Sequence, residues 1–499
     1  MTSKYTVEKI AEFVDGCSNS AIQPDVRDLV ARHLLDSIGC AIGAMGAKVT
    51  QDIKAVVDAF GGNQMCTLIG GGLTSPDRAA LYNGCLVRYL DFMDAYLRPD
   101  EVNHPCDNIM AILAAAEHMG RSGEDFVTAV AIAYEIQNRL LDLPTMRAHI
   151  NYTTPLAFSV AAGASKVLGL DMEHTANAMA IAGVGAVSCA VIQAEPVSNW
   201  KGLSSGEAAS RALHNTYLAR TGITGTRGVF DGPHGIFQIV RDRLDTDWTT
   251  EWFAYARRSS IKKYNAEFQS QSAVDLAIEL RDAHKIDVKA IKKIHVEVAQ
   301  GAYDVLAGGS YGPKTECRTK EQADHNLMYL LSVALLDGEI WPPQFDPERI
   351  NRDDVQELMK KVTAAPNDDF SRRLGPEMPA SLTIELEGGE VINGEKGTFD
   401  GFWSTPMSWD HVKSKFDRLT GPRLDKGLKA EISAAAQNIT TIPVKDLTEL
   451  LGRVSHPAKR SRRRLAHGGD RPWAAQLEDE QKPDLPLEVS MTQSAVTRE

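Results

Sequence analysis

The chain of 499 residues has no apolar run long enough to cross a bilayer as a helix, which takes about 18 residues or more. Its most apolar stretch, AMAIAGVGAVSCAVI at 178–192, falls short of that length and is rich in small residues, which predicts a buried helix. Cysteine is sparse: the seven, at 17, 40, 66, 85, 106, 189 and 317, never fall as CxxC. That pattern gives no zinc or iron–sulfur motif and fits a reducing compartment. HExxH is absent, and the glycine run IGGGLTSP at 69–76 lacks the GKS/T ending of a phosphate loop, so it reads as a turn. Positive charge is in deficit, with 54 Lys and Arg against 66 Asp and Glu and a net charge of -12. Long-range repulsion argues against a nucleic-acid or anionic-membrane partner, and an anion can bind only in a locally cationic pocket. The leading MTSKYTVEKIAEFVDG has neither the apolar core of a signal peptide nor the acid-poor composition of a mitochondrial presequence, which predicts a cytoplasmic protein.

What is present follows two periods. From about residue 5 to 265 apolar residues recur at helical spacing, as in PDVRDLVARHLLDSIGCAIGA, where Val26, Leu29, Val30, Leu34, Ile38 and Ile42 share one stripe behind Pro24. Further on, IKKIHVEVAQ and SLTIELEGGEVING alternate apolar and polar residues, the second around a Gly388-Gly389 turn, with helical HNLMYLLSVALLDG between them. The predicted organisation is a helical domain over 1–265, a smaller α+β domain over 266–395, a helical return over 396–454 and a disordered tail over 455–499. The tail begins with the basic KRSRRRLAHGGDRPWAAQ and turns acidic and aromatic-poor, a composition that cannot bury enough surface to offset chain entropy.

Candidate chemistry is concentrated in short stretches. In YLDFMDAYLRPDEVNHPCDN (89–108), Asp91, Asp94, His104 and Asp107 fall close together. A solvated turn accounts for most such clusters. Here His104 stands directly before Pro105, a natural first-turn residue, where unpaired amides and the helix dipole favour negative charge. A carboxylate docked there would bring its acidic C–H to the imidazole, so His104 can act as general base, with Asp91 orienting the ring or handling a second proton. In a purely structural role His104 would cap the helix. In SNWKGLSSGEAASRA, Lys201 lies in a Gly/Ser-rich segment entering a helix, able to offer amides and an ammonium to an anion, although most loop lysines are simply solvated. His149 and Tyr152 precede a helix in HINYTTPLAF, and Tyr311 is a candidate proton donor from the far side.

In their order, DVRDLVARHLLDSIGCAIGA, LYNGCLVRYLDFMDAY, HPCDN, ASKVLGLD, WKGLSSGEAASRA, AEFQSQSAVDLAIEL and ADHNLMYLLSVALLDGE resemble the MmgE/PrpD family. That family includes 2-methylcitrate dehydratases, fungal alkylcitrate dehydratases and cis-aconitate decarboxylases. The resemblance runs from about residue 5 to 450, and the YLDF…HPxDN spacing and AEFxSQ look closer to the methylcitrate dehydratase branch. It implies a mainly α fold, a large all-helical domain with a smaller α+β lid, a homodimer, and a site between the domains that uses no metal or other cofactor. By motif position, Asp91, His104 and Lys201 match family active-site residues, and Tyr311 matches a lid tyrosine. The implied substrate-binding set is Ala95, Asn103, Trp200, Lys263, Gln269 and Tyr311. Three positions depart from the family pattern: Ala95 replaces a threonine, Tyr152 stands where a histidine is usual, and Gln269 replaces the histidine of AEFHSQ.

The chemistry this predicts is cofactor-independent elimination of water from a tricarboxylic hydroxy acid. His104, assisted by Asp91, takes the proton alpha to a carboxylate, Lys201 and helix-end amides stabilise the developing charge, and Tyr152 or Tyr311 protonates the leaving hydroxyl. Met93 and Ala95 are expected to make the pocket less polar, which points to 2-methylcitrate or a longer 2-alkylcitrate giving the cis-alkylaconitate. Two other readings stay open: decarboxylation of a cis-aconitate-like acid, and a non-catalytic dimer that binds carboxylates or another subunit.

Overall fold

The helical period of the first half is realised as α1 (Thr6–Gly16), α2 (Pro24–Ala44), α3 (Lys48–Phe60), α4 (Pro76–Tyr89), α5 (Ile109–His118), α6 (Gly123–Leu140), α7 (Thr153–Leu168), α8 (Met172–Val184) and α9 (Ser204–Arg220). Pro24 and Pro76 occupy the first turns of α2 and α4, where a missing N–H leaves no bond unmade. The side chains of Ser122 and Asp171 cap α6 and α8 by accepting from Asp125 N and His174 N. Small residues let the helices close on each other: a β-carbon on Gly206 of α9 would lie 2.7 Å from the Cys85 backbone nitrogen of α4. This computed structural model describes residues 4–98, 101–142, 150–194, 197–241, 243–244, 246–421 and 423–454. The tail expected at 455–499 and the candidate His149 lie outside the described residues.

Two features differ from the expectations. The apolar stretch 178–192 is a buried helix only in its first half: α8 ends at Val184, and Val184, Val187 and Val191 are exposed, Val191 by 73%. Gly185 follows the helix end, a residue of low helix propensity. Strands also occur inside the helical half. Besides the two-residue strands β1 (Cys66–Thr67) and β2 (Leu73–Thr74), joined through the expected glycine turn, there is a sheet of β3 (Asp94–Arg98), β4 (Glu101–Asn103) and β5 (Ser259–Ile261). Its order is β4-β3-β5, all antiparallel, with Asp94 paired to Ile261 and Tyr96 to Asn103.

The second half opens with α10 (Gln271–His284) and alternates as its sequence pattern requires. β6 (Ile291–Val298), β7 (Val362–Pro366), β8 (Ala380–Leu386) and β9 (Val391–Lys396) form a sheet of order β7-β6-β8-β9, and α11 (Leu327–Asp337), between β6 and β7 in the chain, packs in the same cluster. β6 runs parallel to β7 and antiparallel to β8. Ile294, Val296, Val298, Leu382 and Ile384 bury one face of the sheet in a cluster that includes Val274 and Leu276 of α10 and Leu330 and Leu331 of α11.

The chain then returns to the first cluster through α12 (Trp409–Thr420), α13 (Lys426–Gln437) and α14 (Val444–Gly452). Phe416 and Leu419 of α12 lie against Gly39 and Gly43 of α2. Lys415 of α12 is buried, paired with Asp36 at 2.6 Å, and donates to the carbonyls of Phe92 at 2.7 Å and Lys262 at 2.9 Å. One ammonium thus ties together the two backbone segments that carry Asp91 and Lys262. The fold is mainly α, a large helical body with a smaller α+β part. Among the described residues no helix is long and apolar enough to cross a membrane.

Candidate active site

Asp91 follows the end of α4 and holds a left-handed backbone conformation, φ 58°. For a residue with a β-carbon that costs about 1 kcal/mol or more, a strain that persists where surrounding contacts fix it. The turn aims the carboxylate into a group of buried cations. Oδ1 meets Arg88 Nη1 at 2.9 Å and Lys262 Nζ at 2.7 Å, and Oδ2 meets Lys201 Nζ at 3.0 Å. Burial alone would push this carboxyl up, but Arg88, Lys201, Lys262 and His325 together hold it well below the usual carboxylate range.

Lys201 donates further to Asp324 Oδ1 at 2.8 Å and lies 2.9 Å from His325 Nδ1. Asp324 is shared with Lys320 at 2.9 Å. Donor atoms of Asp91, Asp324 and His325 lie within 4.8 Å of one another, a grouping of the kind that holds metal ions. Here the Lys201 ammonium stands among them as the cation they surround. Burial, and then the neighbouring Lys201 charge, bring His325 down to about 4, so its ring is neutral near neutral pH.

His104 is positioned from the opposite direction. Its Nδ1–H donates to the Asp94 carbonyl at 2.7 Å, which leaves Nε2 as a bare lone pair. Asp94 is itself fixed: its carboxylate meets His33 Nδ1 at 2.6 Å, accepts from the Tyr134 hydroxyl at 2.8 Å, and accepts from Cys106 N at 3.0 Å. Asp94 thus holds the His104 ring through its carbonyl and the backbone two residues beyond it through its carboxylate. Burial, with Arg88 and Lys262 nearby, holds the imidazole well below its ordinary value, so it is an unprotonated base at neutral pH.

Most of these groups border one cavity. Arg88, Asp91, His104, Lys262 and His325 form much of its polar wall, and Val102 and Val305 supply apolar contact. Gln269 also borders it and carries a buried side-chain oxygen without a hydrogen-bond partner. Arg88, Lys201 and Lys262 share the two firmly ionised carboxylates Asp91 and Asp324, and the Arg88 and Lys262 cations on the lining can meet an anionic ligand beside the Glu101 carboxyl. Glu267, on the same wall, differs from Asp91: burial pushes its carboxyl up to about 7 against the pull of Lys262.

Comparison with known proteins gives this arrangement a family. The MmgE/PrpD N-terminal domain matches residues 8–249, and the MmgE/PrpD C-terminal domain matches residues 264–441. The chain belongs to the MmgE/PrpD family. It is 26% identical over 436 residues to a cis-aconitate decarboxylase of Mus musculus, covering 83% of this chain and 87% of that protein. It is also 26% identical over 401 residues to a probable 2-methylcitrate dehydratase of Saccharomyces cerevisiae, covering 72% and 74%. A 2-methylcitrate dehydratase of Escherichia coli K12 is 24% identical over 412 residues, covering 76% and 83%.

Of the residues singled out in this MmgE/PrpD sequence, Asp91 and Lys201 meet directly, and Asp91, His104, Gln269 and Tyr311 border the cavity. The others stand elsewhere. Tyr152 lies behind the wall: its hydroxyl accepts from Arg88 Nε at 3.1 Å, and its ring packs edge-on against His104 at 5.3 Å. It orients those two groups rather than facing the cavity. Trp200 is 49% exposed and lines a separate surface groove with Val191. Asn103 is buried on β4, 3.5 Å from the Gln137 carbonyl, and does not line the cavity. Ala95 points away because β3 alternates: Asp94 faces the helical body, and Ala95 and Leu97 face Phe268, Phe399 and Phe402. Met93 is buried in the helical core, so neither residue makes the cavity apolar. Lys263 pairs with Asp275 at 2.6 Å, away from the cavity, and its neighbour Lys262 reaches Asp91 instead. Asp107 is buried off the cavity, and burial pushes it up to about 7.

Arg88, Lys262, Glu267, Asp324 and His325 went unrecognised in the sequence. Arg88 left a signal, a lone charge in the apolar GCLVRYL stretch of α4, and His325 stands in ADHN, one of the motifs that carried the resemblance. Gly202 to Gly206 also spells GxSxG, but a helical turn leads into it and Ser204 opens α9, so no strand-borne nucleophile elbow forms.

Proposed function

We propose that this MmgE/PrpD protein is a dehydratase acting on a citrate-type tricarboxylic acid with a small 2-alkyl group, 2-methylcitrate being the substrate that fits best, and giving the cis-alkylaconitate. The observation that carries the reading is the unprotonated Nε2 of His104 on the same cavity wall as the Arg88 and Lys262 cations. Carboxylates held by Arg88 and Lys262 would lower the cost of charge building up as the alpha proton leaves to His104. Asp91, held anionic, fixes the three cations and has no proton to give. The apolar contact offered by Val102 and Val305 suits a methyl group better than a long chain, and Met93 and Ala95, packed in core clusters, give the longer alkylcitrates no support.

Decarboxylation of a cis-aconitate-like acid is the second reading, favoured by the similarity to the mouse decarboxylase. Ultraviolet absorbance of the new conjugated double bond, measured across citrate, 2-methylcitrate and a hexyl homologue, tests the first reading. The expected order places 2-methylcitrate first. Carbon dioxide release from cis-aconitate without turnover of any hydroxy acid would replace dehydration by decarboxylation. We further propose a homodimer, supported by the exposed Val184, Val187, Val191 and Trp200, an apolar grouping unusual for a free surface. Light scattering should give twice the chain mass, and a monomer at micromolar concentration would contradict it.

A further inference from the structure

Elimination of water needs two proton transfers, and the groups described so far supply only one. His104 accepts the proton from carbon, and a hydroxide ion does not leave readily unless something protonates it. The bordering groups can be tested in turn. Asp91 is bound by three cations and is held ionised. His325 has its Nδ1 engaged by Lys201 and Asp324 and is neutral at working pH. Tyr152 faces Arg88, not the cavity. Tyr311 borders the cavity, but burial pushes its phenol up to about 12, a weak donor. Glu267 remains.

Glu267 is fixed on the turn before α10 by two backbone contacts. Its N–H donates to the Asp324 carbonyl at 3.0 Å, and its Oε2 accepts from Gln269 N at 2.7 Å. Among the described residues Oε1 has no hydrogen-bond partner, and the residue borders the cavity together with His104 and Gln269. Resting on the dehydratase reading, we infer that Glu267 is the proton donor to the leaving hydroxyl, paired in the cavity with His104 as base.

The step balances. The bond between hydrogen and the carbon alpha to a carboxylate breaks, its proton passes to His104 Nε2, and its electron pair becomes the new carbon–carbon double bond. The carbon–oxygen bond breaks with its pair on oxygen, which takes the Glu267 proton and departs as water. The enzyme is left with an imidazolium and a carboxylate, and exchange with solvent restores both. The protonated form of Glu267 is favoured by burial and by the nearby Asp91 charge, while Lys262 and Lys201 oppose it; Asp324 and His325 adjoin through the turn. With the carboxyl raised to about 7, it holds its proton below that pH and loses it above.

The test compares 2-methylcitrate with the analogue bearing fluorine in place of the hydroxyl, because fluoride leaves without needing a full proton. Glu267→Gln, which keeps an acceptor for Gln269 N–H, should lose about a hundredfold or more in kcat on the hydroxy acid and stay within about tenfold of wild type on the fluoro analogue. Wild-type rates on the hydroxy acid should fall as pH rises through about 7. That limb should be missing for the fluoro analogue, a comparison that needs no variant. Equal slowing of the variant on both compounds, or near-full activity on the hydroxy acid, would overturn the role of Glu267 and leave dehydration standing. A wild type that forms no unsaturated product from any citrate homologue would end the dehydratase reading itself, and this role with it.

Discussion

Two kinds of buried carboxyl stand at this site, and environment separates them. Asp91 and Asp324 are each held by more than one cation, whereas Glu267 and Asp107 are pushed up to about 7 by burial. The raised group at Glu267 has a consequence for stability. Its folded-state value lies above the unfolded one, so the fold favours the protonated form at low pH, and that favour is lost as pH rises through about 7. Glu267→Gln removes the cost of burying the ionised form. The melting temperature of the variant relative to wild type should therefore be higher at pH 8 than at pH 5, read by thermal unfolding at the two values. A difference independent of pH would mean that Glu267 is ionised throughout. Asp94 works differently: its carboxylate touches no part of the cavity wall, yet its carbonyl holds the His104 ring and its carboxylate holds Cys106 N two residues on. It is a positioning residue.

At the scale of elements, adjacent lysines show how extended backbone sorts side chains. Lys262 and Lys263 follow β5, and successive residues there point to opposite sides, one to Asp91 and one to Asp275. Lys262→Met should cost about a hundredfold in kcat/KM, while Lys263→Met should stay within about threefold, with thermal unfolding confirming that both fold. The reverse order would place the substrate on the other side of the strand. The long helices and the β8–β9 hairpin were legible because their periods are long and their turns carry proline or paired glycines. The sheet of β3, β4 and β5 was not: its strands are five, three and three residues, and β3 is buried on both faces, so no alternation survives. Its pairing of Asp94 with Ile261 is non-local, and that pairing brings Lys262 to Asp91. Without that strand the sequence does not distinguish Lys262 from Lys263.

At the scale of the molecule, the site draws on segments far apart in the chain. The helical body supplies Arg88, Asp91, His104 and Lys201, the turns leading to α10 and α11 supply Lys262, Glu267, Asp324 and His325, and Lys415 of the returning α12 braces the segments beneath. His104, Asp91 and Lys201 were readable as short motifs, but the convergence of their partners is a property of tertiary packing that no local pattern encodes. An acidic chain thus buries three cations around two carboxylates, two of those cations on the cavity lining. The most direct measurement is the turnover of 2-methylcitrate by wild type and by His104→Ala, with tricarboxylate binding followed in both. The prediction is a loss of about a hundredfold or more in kcat with binding retained. Undiminished turnover in the variant would contradict the claim that this imidazole removes the proton.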